Sequence, residues 1–260
     1  MHHSLLHSLL LCALVSGLAG CAPEAAAPQG ASRGPGVLTP QDWNGGRALA
    51  GREAGVIRLS AGVFAVEAPV RLSDGVTLEG EGPGATILVA RGALDSVVTN
   101  ADHEAGGAHV RVRGLSVDCG GEAATGVRLI RVADVEVSDL HVTGCRETGV
   151  RLSGQGRITR GAVLRDIVAE RNGGDGVMVM WAMRGVLYDG VTARFNAGRG
   201  VVIDHSEGIA SGVRANGNAG IGIYLRNFFA NTLDGLVATR NGRHGIYAVG
   251  MVASTGSNWI

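Results

Sequence analysis

From residue 55 onward the chain alternates apolar and polar positions in short bursts. Val56-Ile57-Arg58-Leu59, Val63-Phe64-Ala65-Val66, Val70-Arg71-Leu72, Val76-Thr77-Leu78 and Ile87-Leu88-Val89 each read as a strand, because alternation with period two sends every second side chain to one face. In the second half the bursts become periodic. Gly126-Val127, Gly149-Val150, Gly176-Val177, Gly200-Val201, Gly222-Ile223 and Gly245-Ile246 recur at spacings of 23, 27, 24, 22 and 23 residues. Asn172, Asn196, Asn218 and Asn241 each precede a repeat glycine by four residues. After the glycine comes an alternating stretch such as Val127-Arg128-Leu129 or Ile223-Tyr224-Leu225, and then a second short strand, as in Val135-Glu136-Val137 and Leu140-His141-Val142. No 3.6-residue period lies between the strands, which separates this repeat from leucine-rich repeats of similar length.

The N-terminal segment follows other rules. Leu5 to Gly20 is an apolar run ending in Leu18-Ala19-Gly20-Cys21. This resembles the bacterial lipobox, whose Cys is lipidated, although Met1-His2-His3-Ser4 supplies no Arg or Lys ahead of it. The resemblance implies a signal peptide over 1–20, lipidation at Cys21 and a location in the bacterial cell envelope; a secreted protein is the alternative. Residues 21–37, rich in Ala, Pro, Gly and Ser, read as a flexible tether, and residues 38–260 as the repeat domain. Thr39-Pro40-Gln41-Asp42 has the form of a capping box and predicts a short helix, carrying Trp43 and Leu49, over the open start of the repeats. The chain stops at Ser257-Asn258-Trp259-Ile260, in mid-repeat, which predicts that the C-terminal end of the domain is lacking.

Composition narrows the class. Glycine supplies 43 of 260 residues, aromatics only 4%, and the 23 acidic residues balance 23 basic ones, all arginine. The balance argues against nucleic acid as a partner, and the 45% apolar content argues against disorder. The Gly80-Glu81-Gly82-Pro83-Gly84 run is followed by a strand-like stretch without lysine, so it is no nucleotide loop.

The repeat resembles the right-handed parallel β-helix of the pectate-lyase-like superfamily, over roughly residues 55–260. The expected fold is all-β: coils of short strands stacked about 4.8 Å apart, with glycine permitting the corners and asparagine forming an amide ladder. Val127, Leu129, Val150, Leu152, Val177, Val179, Val201 and Ile203 would point inward. Outward, one column reads Arg128, Arg151, Met178, Val202, Tyr224, Tyr247 and a second reads Ile130, Ser153, Met180, Asp204, Arg226, Val249. Trp181, Asp204, His205, Tyr224, Arg226, Arg243, His244 and Tyr247 thereby gather on neighbouring coils.

Arg240-Asn241-Gly242-Arg243-His244-Gly245 further resembles the Asn-x-Arg-His-Gly segment of the mannuronan C5-epimerases. That resemblance implies groove positions for Arg243 and His244, and Asp204 matches an Asp that the family carries four residues after a repeat glycine. The departures are Val201 for a family Tyr, Arg226 for an Asp, His205 directly after Asp204 without an intervening Pro, and no lysine. The implied substrate is an acidic polysaccharide. An arginine fork grips the C6 carboxylate, the C5 proton becomes removable as enolate-like charge is stabilised, and His244 with Tyr224 or Tyr247 carries protons. Epimerisation and β-elimination are both open. Asp204 and Arg243 are candidate catalytic residues beside His244, Tyr224 and Tyr247, and Arg226, His205 and Trp181 candidate substrate contacts. A solenoid that only binds glycan or a protein partner, and a hydrolase drawing on Asp175, Asp189 or Asp204, are open as well. No cofactor is evident; calcium, common in the superfamily, has no acidic cluster to hold it, and no His/Cys set has zinc spacing. In the stacked coils Cys119 and Cys145 fall nearly on one column, within reach of a disulfide; two buried thiols are the alternative.

Overall fold

The computed structural model describes residues 36–49, 54–229, 232–251 and 255–257. The expected signal segment 1–20, Cys21 and the final residues 258–260 lie outside them. The described residues form a right-handed parallel β-helix with three strand faces. The first face runs through Val70–Leu72, Leu94–Asn100, Ala123–Ile130, Thr148–Ser153, 177–180, 201–204, Ile223–Arg226 and Ile246–Val249, each strand pairing in parallel with the next. The second runs from Val37–Leu38 and Gly55–Leu59 through 135–138 and 162–165 to Thr255–Ser257. The third runs from Gly62–Val66 through 140–143 to Val237–Thr239. Val37, assigned to the tether by composition, already pairs with Arg58.

The register reproduces the periodicity of the sequence. Both outward columns of the first face are in line from coil to coil, Arg128 to Tyr247 and Ile130 to Val249. Their inward neighbours Val127, Leu129, Val150, Leu152, Val177, Val179, Val201 and Ile203 are all buried in the core. A coil is too narrow for many aromatic rings, so β-branched and Leu side chains fill it layer by layer.

The asparagines form a continuous ladder at one corner. Nδ2 of Asn172 donates to Oδ1 of Asn196 (2.9 Å), Asn196 to Asn218 (2.9 Å) and Asn218 to Asn241 (3.0 Å). Each Oδ1 also accepts the backbone N–H of the preceding asparagine, as Asn218 does from Asn196 at 3.1 Å. Cys145 takes the asparagine's place one coil earlier: its N–H donates to Oδ1 of Asn172 at 3.0 Å. Its sulfur is bonded to Cys119, with the Cα atoms 4.7 Å apart. The disulfide therefore continues the ladder covalently.

The repeat glycines do not serve the purpose expected of them. Gly176, Gly200 and Gly222 have ordinary backbone angles, and what excludes a side chain is crowding. A Cβ on Gly200 would sit 2.7 Å from Nδ2 of Asn218 and 2.8 Å from Cβ of Ala215. The ladder occupies the space a side chain would need. Left-handed corner conformations fall elsewhere, on Asp139, Asp166, Trp181, His205 and Asn227 among others, and polar side chains that bond locally tolerate that region best.

At the N-terminal end the expected helix is corrected to a 3₁₀ segment, Asn44–Leu49, broken by positive φ at Gly45 and Gly46. The capping-box contacts are present, with the Thr39 N–H and hydroxyl both donating to Oδ2 of Asp42 (3.0 and 2.6 Å). Trp43 and Leu49 are buried. Trp43 packs edge-on against Phe64 at 5.3 Å and donates its indole N–H to the Ala65 carbonyl at 2.6 Å, so the segment covers the first coils.

Two outcomes test this architecture. Asn196→Ala removes an inner rung and strands buried groups on both sides, at about 1–3 kcal/mol for each unsatisfied partner. Chemical denaturation should show a larger loss for Asn196→Ala than for Asn241→Ala, whose residue is half-buried at the ladder's end. An equal loss would contradict the ladder's load. Denatured, non-reduced protein should take up no alkylating reagent at Cys119 or Cys145 and take it up at both after reduction. A loop of 26 residues should make reduction cost roughly 3 kcal/mol in the chain-entropy description.

Candidate functional site

The outward side chains of the last described coils of the first face form one connected strip. Tyr224 and Tyr247 occupy the same column and stack with centroids 5.6 Å apart and planes 3° from parallel. His244, just before the repeat glycine, sets its ring 5.5 Å from Tyr247. From the corresponding position two coils earlier, Arg199 lies over the Tyr224 ring at 5.1 Å, a cation–π contact. Asp175 holds Arg199 there through paired bonds of 3.1 and 2.7 Å.

The second column supplies the charges. Arg226 grips Asp204 as a fork, Nε to Oδ1 at 2.8 Å and a terminal nitrogen to Oδ2 at 2.6 Å. His205 donates Nδ1–H to Oδ1 of Asp204 at 2.6 Å and accepts from the Asn227 amide on Nε2 at 2.9 Å. Burial raises the Asp204 carboxyl, but the hydrogen bonds and charges of Arg226 and His205 outweigh it and hold the group below the usual carboxylate range. The same pairing raises Arg226 above its ordinary value. Asp204, expected as a catalytic group, thus has both oxygens engaged and is suited to positioning Arg226 and His205. Arg226, expected to bind substrate, commits its fork to Asp204.

Beyond His205 the strip opens into a cavity of about 590 Å³ lined by Ile158, Trp181, Met183, His205, Glu207 and Phe229. Trp181 is 41% exposed, which leaves its ring available at the rim. Arg243 is exposed and its side chain joins no hydrogen bond or ion pair among the described residues; its N–H donates to the Gly220 carbonyl at 3.1 Å. The carboxylates considered for hydrolysis are each paired, Asp175 with Arg199, Asp189 with Arg165 and Asp204 with Arg226. Among the described residues no group of three or more His, Cys, Asp and Glu is placed to hold a metal ion.

Sequence reasoning missed Arg199, Asn227, Ile158, Met183 and Phe229. Arg199 was within reach, because the residue before each repeat glycine forms its own column, with Asp175, Arg199 and His244 in it. The cavity was not, because Trp181 and Ala182 turn outward through left-handed backbone that no periodicity marks.

No curated protein matches the sequence. Among solved structures, the N-terminal fragment of bacteriophage phi29 gene product 12 is similar at a TM-score of 0.60 and 13% identity, over 85% of this chain and 47% of that one. The Agl-KA catalytic domain is similar at 0.56 and 14%, over 90% of this chain and 55% of that one. The alginate lyase of Paenibacillus sp. str. FPU-7 is similar at 0.51 and 13%, over 84% of this chain and 99% of that one. The chain thus spans about half the length of the first two, and 29% of the pre-mature form of the phage protein. At such identities the similarity concerns the fold. The family described as right handed beta helix region matches residues 125–257, just over half of the 260 residues, and the chain belongs to that family.

Proposed function

We propose that this is an exported, lipid-anchored β-helix protein that binds an acidic polysaccharide on its first face and removes the C5 proton of a uronate residue. The observation that carries the reading is the cluster of His244 against the Tyr224–Tyr247 stack with Arg199 and Arg226 beside it. It unites an imidazole, phenols and guanidinium groups, the set that C5 chemistry needs. The anchor rests on the Leu18-Ala19-Gly20-Cys21 motif.

In this mechanism arginine neutralises the C6 carboxylate, with Arg243 free to swing onto it and Arg199 adding positive field. His244 takes the C5 proton and the electron pair passes into the carboxylate-stabilised enolate. The enolate then collapses by expelling the C4–O bond, and Tyr247 delivers a proton to the leaving oxygen. Elimination suits the spacing better than epimerisation. A sugar ring seated between two groups needs about 3.5–4.0 Å of contact distance on each side, more than the 5.5 Å between the His244 and Tyr247 rings allows. Both groups therefore act from one side of the sugar. Hydrolysis is disfavoured because it needs one carboxylic acid with a raised pKa, and Asp204 is shifted the other way.

The test is to incubate the mature chain with alginate and with polygalacturonate. Unsaturated ends are the expected product. Inversion at C5 without them, read by NMR, would replace elimination by epimerisation, and retained binding with no reaction would leave a glycan-binding solenoid. His244→Ala should lose about a hundredfold or more in turnover while keeping its circular dichroism spectrum; full activity would remove His244 from the mechanism. Arg243→Lys should weaken turnover, because a point charge does not replace the planar fork.

A further inference from the structure

The outward column that carries the tyrosines changes character toward the N-terminal coils. Beyond Val202 and Met178 it reads Arg151, Arg128, Thr99 and Arg71, all in register. Arg128 and Arg151 lie on adjacent coils, about 4.8 Å apart along the axis. Both are half-buried, and neither forms an ion pair among the described residues. Every other half-buried arginine among the described residues holds a carboxylate at 3.4 Å or less, namely Arg111, Arg113, Arg131, Arg199 and Arg226. The Nε atoms of Arg128 and Arg151 are buried without a hydrogen-bond partner among the described residues, as are those of Arg113 and Arg131, but only Arg128 and Arg151 also lack a carboxylate on their terminal nitrogens. Two stacked, partly dehydrated guanidinium groups repel each other and hold unused donors. An anionic oxygen between them relieves both defects at once.

The surroundings agree. His103 lies beside them, with Nε2 2.7 Å from Thr99 Oγ1, whose hydroxyl donates to the Arg128 carbonyl at 2.8 Å. The hydroxyl proton is thereby committed, so Nε2–H is the donor to Thr99. Burial first, then the charges of Arg128 and Arg71, lower the His103 pKa against the opposing effect of Asp102 and Asp95. Burial first, then Arg128, also lowers that of Arg151, against Glu147. These three acids are all exposed, and among the described residues no ion pair joins them to Arg71, Arg128 or Arg151.

We propose that Arg128 and Arg151, with Arg71 and His103 at their N-terminal side, form a binding site for a polyanion that carries anionic oxygen groups in series. From Arg71 to Arg151 the column spans four coils, roughly 14 Å at 4.8 Å per step, enough to engage several such groups at once. The groups are carboxylates of a polyuronate or sulfates of a sulfated polysaccharide. The site lies on the face assigned above to polysaccharide and deepens that reading, but it involves no proton-transfer residue and holds whether or not the reaction does.

Titration calorimetry of the mature chain decides the matter, with polygalacturonate (carboxylate only), dextran sulfate (sulfate only) and dextran (neutral) as ligands at two salt concentrations. The protein should bind at least one charged polymer, more weakly in high salt, and should not bind dextran. Arg128→Gln combined with Arg151→Gln should lower that affinity at least tenfold while leaving the melting temperature unchanged or higher, since a repulsion is removed. Arg128→Lys with Arg151→Lys keeps the charge but not the fork and should fall between; it also serves if the glutamine variant does not fold. Dextran sulfate carries no uronate and cannot undergo the proposed reaction, so loss of its binding in the arginine variants separates this site from that one. Unchanged affinity in the arginine variants, or equal binding of dextran, overturns the proposal. Preference for dextran sulfate over polygalacturonate would keep the site and name sulfate as its group.

Discussion

The asparagine ladder sets the terms for the rest of the molecule. Backbone hydrogen bonds join each coil to its neighbours but leave the corner between the third and first faces with buried groups that strands do not satisfy. Asn196 meets that need from both sides. It accepts from Asn172, donates to Asn218 and gives its second amide hydrogen to the Ala169 carbonyl at 3.1 Å. An amide carries two donor hydrogens and an acceptor oxygen, so it can satisfy a carbonyl of its own corner, accept from one neighbour and donate to the next, coil after coil. Once the amides are in place the nearby glycines are obligatory, because Gly176, Gly200 and Gly222 face atoms that a methyl group would strike. Where the asparagine is absent, the Cys119–Cys145 bond takes over the corner.

Coils fixed in register at that corner align every other position, and outward positions become columns. This is how chemistry separated by some 22 residues in the chain is brought side by side without a loop to position it. Asp204 shows the consequence. Burial alone would push its carboxyl up, yet the register places Arg226 directly on the next coil and a corner places His205 beside it, and the sum runs downward. The cost of burying one charge is met by its neighbours in the column.

Periodicity therefore made most of the scaffold readable. Spacing the repeat glycines identified the coil, and alternation after Val127 or Ile223 separated inward from outward side chains. The match of Asp204 with Arg226 followed from the same count. What periodicity does not encode are departures from the strand path. The positive φ at Trp181, Ala182 and His205 arises at corners where the chain steps out of register between Met180 and Met183, and the cavity opens there. The 3₁₀ turn at Asn44–Leu49 escaped for a related reason. Thr39 and Asp42 satisfy the local rule for a helix start, but Gly45 and Gly46 adopt positive φ, a conformation that no continuing helix accepts.

The polyanion site proposed on the first face belongs to a chain with equal numbers of acidic and basic residues. Net charge supplies no steering, and beyond about 8 Å at physiological ionic strength exposed charges are screened. Attraction has to come from cations that salt and neighbouring acids do not neutralise. Arg58, Arg113, Arg171, Arg194, Arg199 and Arg226 are unsuited, being tied to Glu79, Glu170, Asp175 or Asp204. Arg128 and Arg151 escape that neutralisation, and their partial burial weakens screening and raises the worth of each bond to an anion. They stand a few coils from the Tyr224–Tyr247 stack in the same column. The register that the asparagines hold at the corner fixes that separation, so in the proposed reading the spacing of charge and aromatic rings is set by the scaffold and not by any one residue.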